Sequence, residues 1–243
     1  MFRAIRRPLL GFTLVTGLAL GVPASAATIF SSDFNSLPNG SDPADFDNNA
    51  AALSSADNIA VSNGTWRNDN GGLAALYYDG TPGSTTLTDT LVETEFRRGN
   101  GGGFLGLIAR VDSTTAPASR NYYHLRLESN NTFRLYDFTN NGAFVLATDI
   151  LSGAELYPST SPTWKMQLEA IGTTITGRLF NTGGDLVSEI SVTDTTHTAG
   201  AAGIYSQGGV NVYDSLTITS IPEPASLGLM AIGCVLLINR RKR

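Results

Sequence analysis

Between residues 28 and 219, apolar positions recur at every second residue or in runs too short for helices, and no stretch of ten residues keeps a helical period. Short segments rich in Thr, Val, Ile, Tyr and Phe alternate with Gly, Asn, Ser and Asp. The pattern predicts about a dozen strands, at 28–34, 73–78, 86–98, 104–112, 122–128, 132–138, 144–148, 163–170, 173–181, 186–192, 200–205 and 210–219. In 164–170 the alternation is strict. Trp164, Met166, Leu168 and Ala170 share one face, and Lys165, Gln167 and Glu169 the other, the period of two of a sheet with one face buried. Hairpins are expected around Asn130-Asn131 and around Ile171-Gly172, where glycine accepts positive φ. Many short strands separated by regular turn signals predict an all-β, two-sheet antiparallel sandwich. The stretch 42–57 reads as a long loop, and no linker divides the body.

Packing positions within this pattern are similar to those of concanavalin A-like (laminin G-like) jelly rolls. They are Phe104-Leu105-Gly106-Leu107-Ile108-Ala109-Arg110-Val111-Asp112, Asn121 to Leu127, Trp164 to Ala170 and Val212 to Ile218, with Phe30 to Phe34 opening the fold. The resemblance implies that the first and last strands pair. Phe30, Phe34, Leu216 and Ile218 should then point inward, and Asp33 and Asp214 should lie near each other.

Charge narrows the partners. Segment 27–221 holds 9 of the 16 Lys and Arg residues and 20 of the 21 Asp and Glu residues, a formal charge of −11 against −5 for the whole chain. That balance argues against nucleic acid and anionic lipid and is compatible with neutral glycans and divalent cations. The single cysteine, Cys234, lies outside the body, so core packing must hold the domain without disulfides.

Candidate chemistry is sparse. A glycoside hydrolase on this fold needs two carboxylates about 5 Å apart on one face. Glu93 and Glu95 share a face, but the third carboxylate of the laminarinase-like motif is missing, and they read as a solvated strand face. His124 and His197 lack partners at metal-ligand spacing, and His124 reads as a surface strand residue. Gly101 to Gly106 matches Gly-x-Gly-x-x-Gly, yet a strand follows where a dinucleotide site needs a helix. Asp45 to Asn49 opens like an EF-hand loop, with Ala50 and Ala56 where Gly and Glu belong. No cofactor is required. The jelly-roll resemblance implies that one structural calcium can sit beside the terminal strands, with Asp33 and Asp214 the candidate ligands and Asp137 a distant third candidate; plain strand-end aspartates are the alternative. Sugar binding needs exposed rings. Trp66, Tyr77, Tyr78, Tyr122, Tyr123, Tyr136 and Tyr157 supply them, and alternation turns one ring of Tyr77–Tyr78 and one of Tyr122–Tyr123 outward, making those four the glycan-binding candidates.

The two ends of the chain carry targeting patterns. Arg3, Arg6 and Arg7, an apolar stretch at 8–22, and Ala24-Ser25-Ala26 form a secretory signal peptide over 1–26, cut after Ala26. At the other end stand Pro222-Glu223-Pro224, an apolar run from 225 to 239, and Arg240-Arg241-Lys242-Arg243. A 15-residue helix there would span about 22 Å of a ~30 Å hydrocarbon core, with the basic cluster snorkelling. Segment 221–243 resembles the PEP-CTERM sorting signal of Gram-negative bacteria. That implies a transmembrane helix, an exosortase as partner, transient inner-membrane anchoring, and delivery to the cell surface or exopolysaccharide matrix. The chain is thus expected to be a signal helix, a jelly-roll ectodomain over 27–220 and a membrane helix. Its expected role is non-catalytic, binding glycan or building the matrix; a divergent glycan-active enzyme is the alternative.

Overall fold

The structure, a computed structural model, describes residues 26–41, 46–47, 59–68, 73–78, 87–98, 103–112, 121–140, 142–152, 163–208 and 210–221. The signal segment with Ala24, and the tail with Pro222, Glu223, Pro224, Arg240, Arg241, Lys242 and Arg243, lie outside the described residues, as does Tyr157. Ala26 is described and directly precedes the first strand.

Sixteen strands are described in chain order: β1 Ala27–Ser32, β2 Phe46–Asp47, β3 Ile59–Ser62, β4 Thr65–Asn68, β5 Leu73–Tyr78, β6 Thr90–Arg98, β7 Phe104–Val111, β8 Tyr122–Glu128, β9 Thr132–Thr139, β10 Gly142–Ile150, β11 Trp164–Ile171, β12 Thr174–Phe180, β13 Leu186–Thr193, β14 Ala201–Gln207, β15 Asn211–Tyr213 and β16 Leu216–Ser220. They belong to one compact unit, Ser25–Glu223. The first sheet runs β13-β12-β11-β6-β15-β4-β3, with β16 and then β1 attached beside β6. The second runs β10-β9-β8-β7-β14-β5-β2.

The all-β, two-sheet antiparallel sandwich is thus present, whereas the expectation of flanking helices needs correction. Among the described residues there is no helix, and none long and apolar enough to cross a membrane.

Local chemistry accounts for most of the strand edges. In β11 the alternation becomes a strict buried–half-buried series, because one face meets the other sheet and the other meets solvent. The β11–β12 turn uses Gly172 at φ 54°, and the β8–β9 turn places Asn131 at φ 60°. The β3–β4 hairpin turns through Asn63 and Gly64, both at positive φ. The strand expected at 210–219 is two strands. Asp214 and Ser215 both donate backbone N–H to the Glu95 carbonyl, so two residues oppose one. This bulge lets one run of chain continue along β6 while β15 pairs outward with β4 and β16 pairs outward with β1.

First and last strands pair, as expected, and do so antiparallel, with Phe30 opposite Ile218 and Ser32 opposite Leu216. Phe34, Leu216 and Ile218 are buried, and Phe30 is half-buried against the core. Between the sheets lies one continuous core, including Trp66, Val92, Phe96, Leu105, Leu107, Tyr123, Leu125, Phe133, Met166, Leu168, Ile175, Leu179, Ile204 and Tyr213. Each fully buried large side chain contributes about 1.5–3 kcal/mol, which lets a chain without disulfides hold this fold.

Candidate functional site

The second sheet is unusual in burying residues on both faces. Along β8, Tyr123, Leu125 and Leu127 enter the shared core, so Tyr122, His124, Arg126 and Glu128 stand on the opposite, outer face. Strand register brings further residues there. Tyr205 of β14 lies opposite Gly106 of β7, Gly106 opposite Arg126, and Arg126 opposite Arg134 of β9. One row further, Ile108 faces His124 and His124 faces Tyr136. Ile108, Val111, Tyr122, Ala201 and Tyr205, with Phe104 and Phe138 half-buried against them, form a second apolar cluster separate from the main core.

Its centre is aromatic. Tyr122 stacks on Phe138 with centroids 4.8 Å apart and planes 3° from parallel, and Phe104 stacks on Tyr205 at 5.8 Å and 2°. His124 sits among them, its ring 4.1 Å from that of Tyr205. Arg126 caps the group, with its guanidinium carbon 4.1 Å from the Phe104 centroid, 4.4 Å from Tyr136 and 4.9 Å from Phe138. Its Nε donates to His124 Nδ1 at 3.1 Å. Nδ1 is therefore the acceptor and Nε2 carries the proton in the neutral ring. Burial, with the Arg126 charge as a second cause, pushes the His124 pKa well below its ordinary value. Burial likewise raises the Tyr205 hydroxyl pKa. The expectation of a surface His124 is therefore corrected: alternation turns it away from the core, but Tyr122, Phe104, Phe138 and Tyr205 enclose it, leaving it 0% exposed.

Glu128 is engaged at both oxygens, by Arg134 Nη1 at 2.9 Å and the Tyr136 hydroxyl at 2.6 Å. Gly106 has no room for a side chain, since a Cβ there would overlap the Leu125 carbonyl oxygen and lie 3.1 Å from His124 Nε2.

The expected site residues are distributed differently. Tyr123 is a core residue whose hydroxyl donates to Asp194 at 2.5 Å and accepts from the His197 backbone N–H at 3.1 Å, so it offers no ring to a ligand. Burial first, then the bond to Asp194, pushes its pKa up to about 12. Tyr122 does turn outward, yet its ring is covered by stacking on Phe138. Tyr77 and Tyr78 lie on β5, opposite Gly203 and Ala202 of β14. Trp66 is wholly buried against Tyr213.

The two carboxylates of the expected cation pair have protein partners. Asp214 accepts both Arg97 Nη2 at 2.6 Å and Arg97 Nε at 2.9 Å, and that bond raises the Arg97 pKa. Asp33 caps the Asn35 backbone N–H at 3.1 Å, a bond that lowers its pKa after the larger effect of the Asn35 side chain. A cation there would stand against a guanidinium. Asp137 is remote, bound to His197 Nε2 at 2.7 Å and to Thr139 Oγ1 at 2.8 Å. Among the described residues no three His, Cys, Asp or Glu side chains group as metal ligands.

Nor does a catalytic pair assemble. Glu93 accepts from Gln167 and lies 3.6 Å from Lys165, and Glu95 is exposed on the same outer face of the first sheet. The buried His197–Asp137 pair belongs to a packing network. Arg110, 2% exposed, donates there to the carbonyls of Thr88 at 3.0 Å, His197 at 2.9 Å and Gly172 at 2.8 Å, with Asp89 at 3.5 Å. Burial lowers the Arg110 pKa, against the attraction of Tyr123 and Asp89.

No family model matches the chain, and no curated protein matches it. Solved structures do. A Bacillus subtilis protein of unknown function with a galectin-like fold shares 14% identity, with a TM-score of 0.57 over 83% of this chain and 100% of that one. The CBM2 module of the evolved Dit of Lactobacillus casei BL23 phage J-1 shares 11%, with a TM-score of 0.54 over 82% and 98%. The exoplasmic/lumenal domain of VIP36 in its Ca2+/Man3GlcNAc-bound form shares 10%, with a TM-score of 0.53 over 73% and 84%. These likenesses place the chain in a lectin-like and carbohydrate-binding-module-like sandwich fold, in which calcium occurs in at least one member, and no title among them names a catalytic activity. The expected membership of the PEP-CTERM family is corrected on two findings: no family model matches the chain, and among the described residues no helix is long and apolar enough to cross a membrane, so the exosortase partner and the membrane-anchored sorting step have no support.

Proposed function

We propose that the domain binds carbohydrate without catalysis, and that its binding surface is the outer face of the second sheet. The observation that carries this reading is the group of Phe104, Tyr136 and Phe138 rings around Arg126, on a sheet face turned away from the core. Flat apolar rings pack against the C–H faces of pyranoses, and a guanidinium with hydroxyl and carboxylate neighbours orients sugar oxygens. Support comes from the fold, which is shared with a carbohydrate-binding module and with a domain solved with Man3GlcNAc bound. The two carboxylates nearest to a hydrolase pattern, Glu93 and Glu95, lie on the other sheet, on its own outward side.

The test is a glycan array probed with the full chain, followed by titration of any hit against Phe104→Ala and Phe138→Ala. Both rings are half-buried, so their loss should leave the fold intact by circular dichroism. Affinity should fall at least about tenfold, or roughly 1.4 kcal/mol. Undiminished binding by both variants would move the site elsewhere, and an array without a hit would end the carbohydrate reading.

A further inference from the structure

The outer face of the second sheet has more donors than acceptors. Arg126 and Arg134 are direct cross-strand partners on one face, an arrangement in which like charges repel. Glu128 compensates only one of them, since its two oxygens are taken by Arg134 and Tyr136. Among the described residues Arg126 has no ion-pair partner, and its hydrogen bond there runs from Nε to a neutral imidazole, which leaves both terminal nitrogens of the fork free of these residues. Two further donors at the same place, His124 Nε2 and Arg134 Nε, are buried without an acceptor. An unmatched buried donor costs about 1–3 kcal/mol, and two of them beside the half-buried, unpaired Arg126 fork form a site that lacks an anion. The excess is local: the chain as a whole is acidic, with a net charge of −5, and carries few cations that could be left unpaired by chance.

Resting on the carbohydrate reading, we propose that this face recognises an acidic sugar, with a carboxylate or sulfate on the ligand received by the Arg126 fork beside the aromatic cluster. A guanidinium already in contact with the Phe104, Tyr136 and Phe138 rings loses little freedom when it pairs bidentately with such a group. Neutral sugars would fill the aromatic surface but leave the donor excess unanswered.

The experiment is calorimetric titration of the full chain with three tetrasaccharides: a galacturonate oligomer, its carboxyl-reduced neutral counterpart and a sulfated galactose oligomer, each at low and high salt. An acidic ligand should bind at least about tenfold more tightly than the neutral one, with an advantage that shrinks as salt screens the charge. The two acidic arms show which group the fork prefers. Arg126→Gln should weaken binding of the acidic oligomers at least about tenfold more than binding of the neutral one, removing the acidic preference. Arg126→Lys should keep part of it, because charge remains without the fork. Equal affinity for neutral and acidic oligomers in the wild type, a comparison that needs no variant, would overturn the proposal and leave carbohydrate binding standing. So would an acidic preference that survives in Arg126→Gln. Absence of binding to all three would remove both readings.

Discussion

Replacing Arg110 by Met should be among the most damaging single changes in the sandwich. Arg110 lies on β7 at φ 53°, in the left-handed region, where the β7–β14 register shifts opposite Ala201 and Gly203. That bulge swings its side chain to the end of the sandwich. One cation there ties together the carbonyls of Thr88, Gly172 and His197 on three separate segments, and Asp89 in turn accepts the Gly172 N–H at 2.8 Å. Met fills a similar volume but leaves the buried His197 carbonyl, the part-buried bonds of Thr88 and Gly172, and the buried Asp89 charge without their cation. Removing one partner of a buried ion pair costs about 3–5 kcal/mol, and bonds from a charged donor are each in the range of about 1.5–3 kcal/mol before compensation by water. Left-handed strain of about 1–2 kcal/mol persists in the variant and gives nothing back. The expected loss is therefore about 3–5 kcal/mol, read as a lowered urea midpoint at constant m-value. Arg110→Lys should recover less than half of it, because a single ammonium cannot reach three divergent carbonyls. Asp89→Asn combined with Arg110→Met should cost less than the two changes summed. A loss below about 1 kcal/mol in Arg110→Met would show that water replaces the guanidinium and would refute the network as a source of stability.

Three further outcomes are expected. His124 has a folded-state pKa below its unfolded value of about 6.5, so the unfolded chain takes up the proton first. Its contribution is fully present above that pH and is lost as pH falls below it, with a slope approaching about 1.4 kcal/mol per unit that His124→Gln should flatten in urea titrations from neutral to acid. A Cβ on Gly177 of β12 would overlap Leu125 Cδ1 across the core, so Gly177→Ala should cost about 1–3 kcal/mol and Leu125→Ala in the same chain should cost less than it does alone; additive losses would refute the contact. With Asp214 held by Arg97, EDTA should leave the melting temperature unchanged; a drop of several degrees would restore the calcium site.

Much of the sandwich could be read from local pattern, because a strand with one buried face must alternate. The β11–β12 hairpin, the turn at Asn130-Asn131 and the pairing of β1 with β16 follow from it or from the resemblance it carries. The same alternation placed Tyr122, His124 and Arg126 on one face, opposite Tyr123 and Leu125. Short strands escaped it: β2, β3 and β4 have two to four residues each, too few for a period to register.

What alternation cannot supply is the identity of the neighbours. Tyr205 reaches His124 only because β14 inserts between β7 and β5, a pairing of strands nearly a hundred residues apart. Burial of His124 follows from those neighbours, so its exposure could not be judged from Tyr123 and Leu125 beside it. The bulge at Asp214 and Ser215, and the Arg97 fork that occupies Asp214, likewise depend on β6 running alongside. The chain by itself determined which residues face together along a strand, a consequence of backbone geometry. Only the tertiary structure decided which strands stand side by side, and therefore which carboxylates are already paired and that Arg126 has no carboxylate among the described residues.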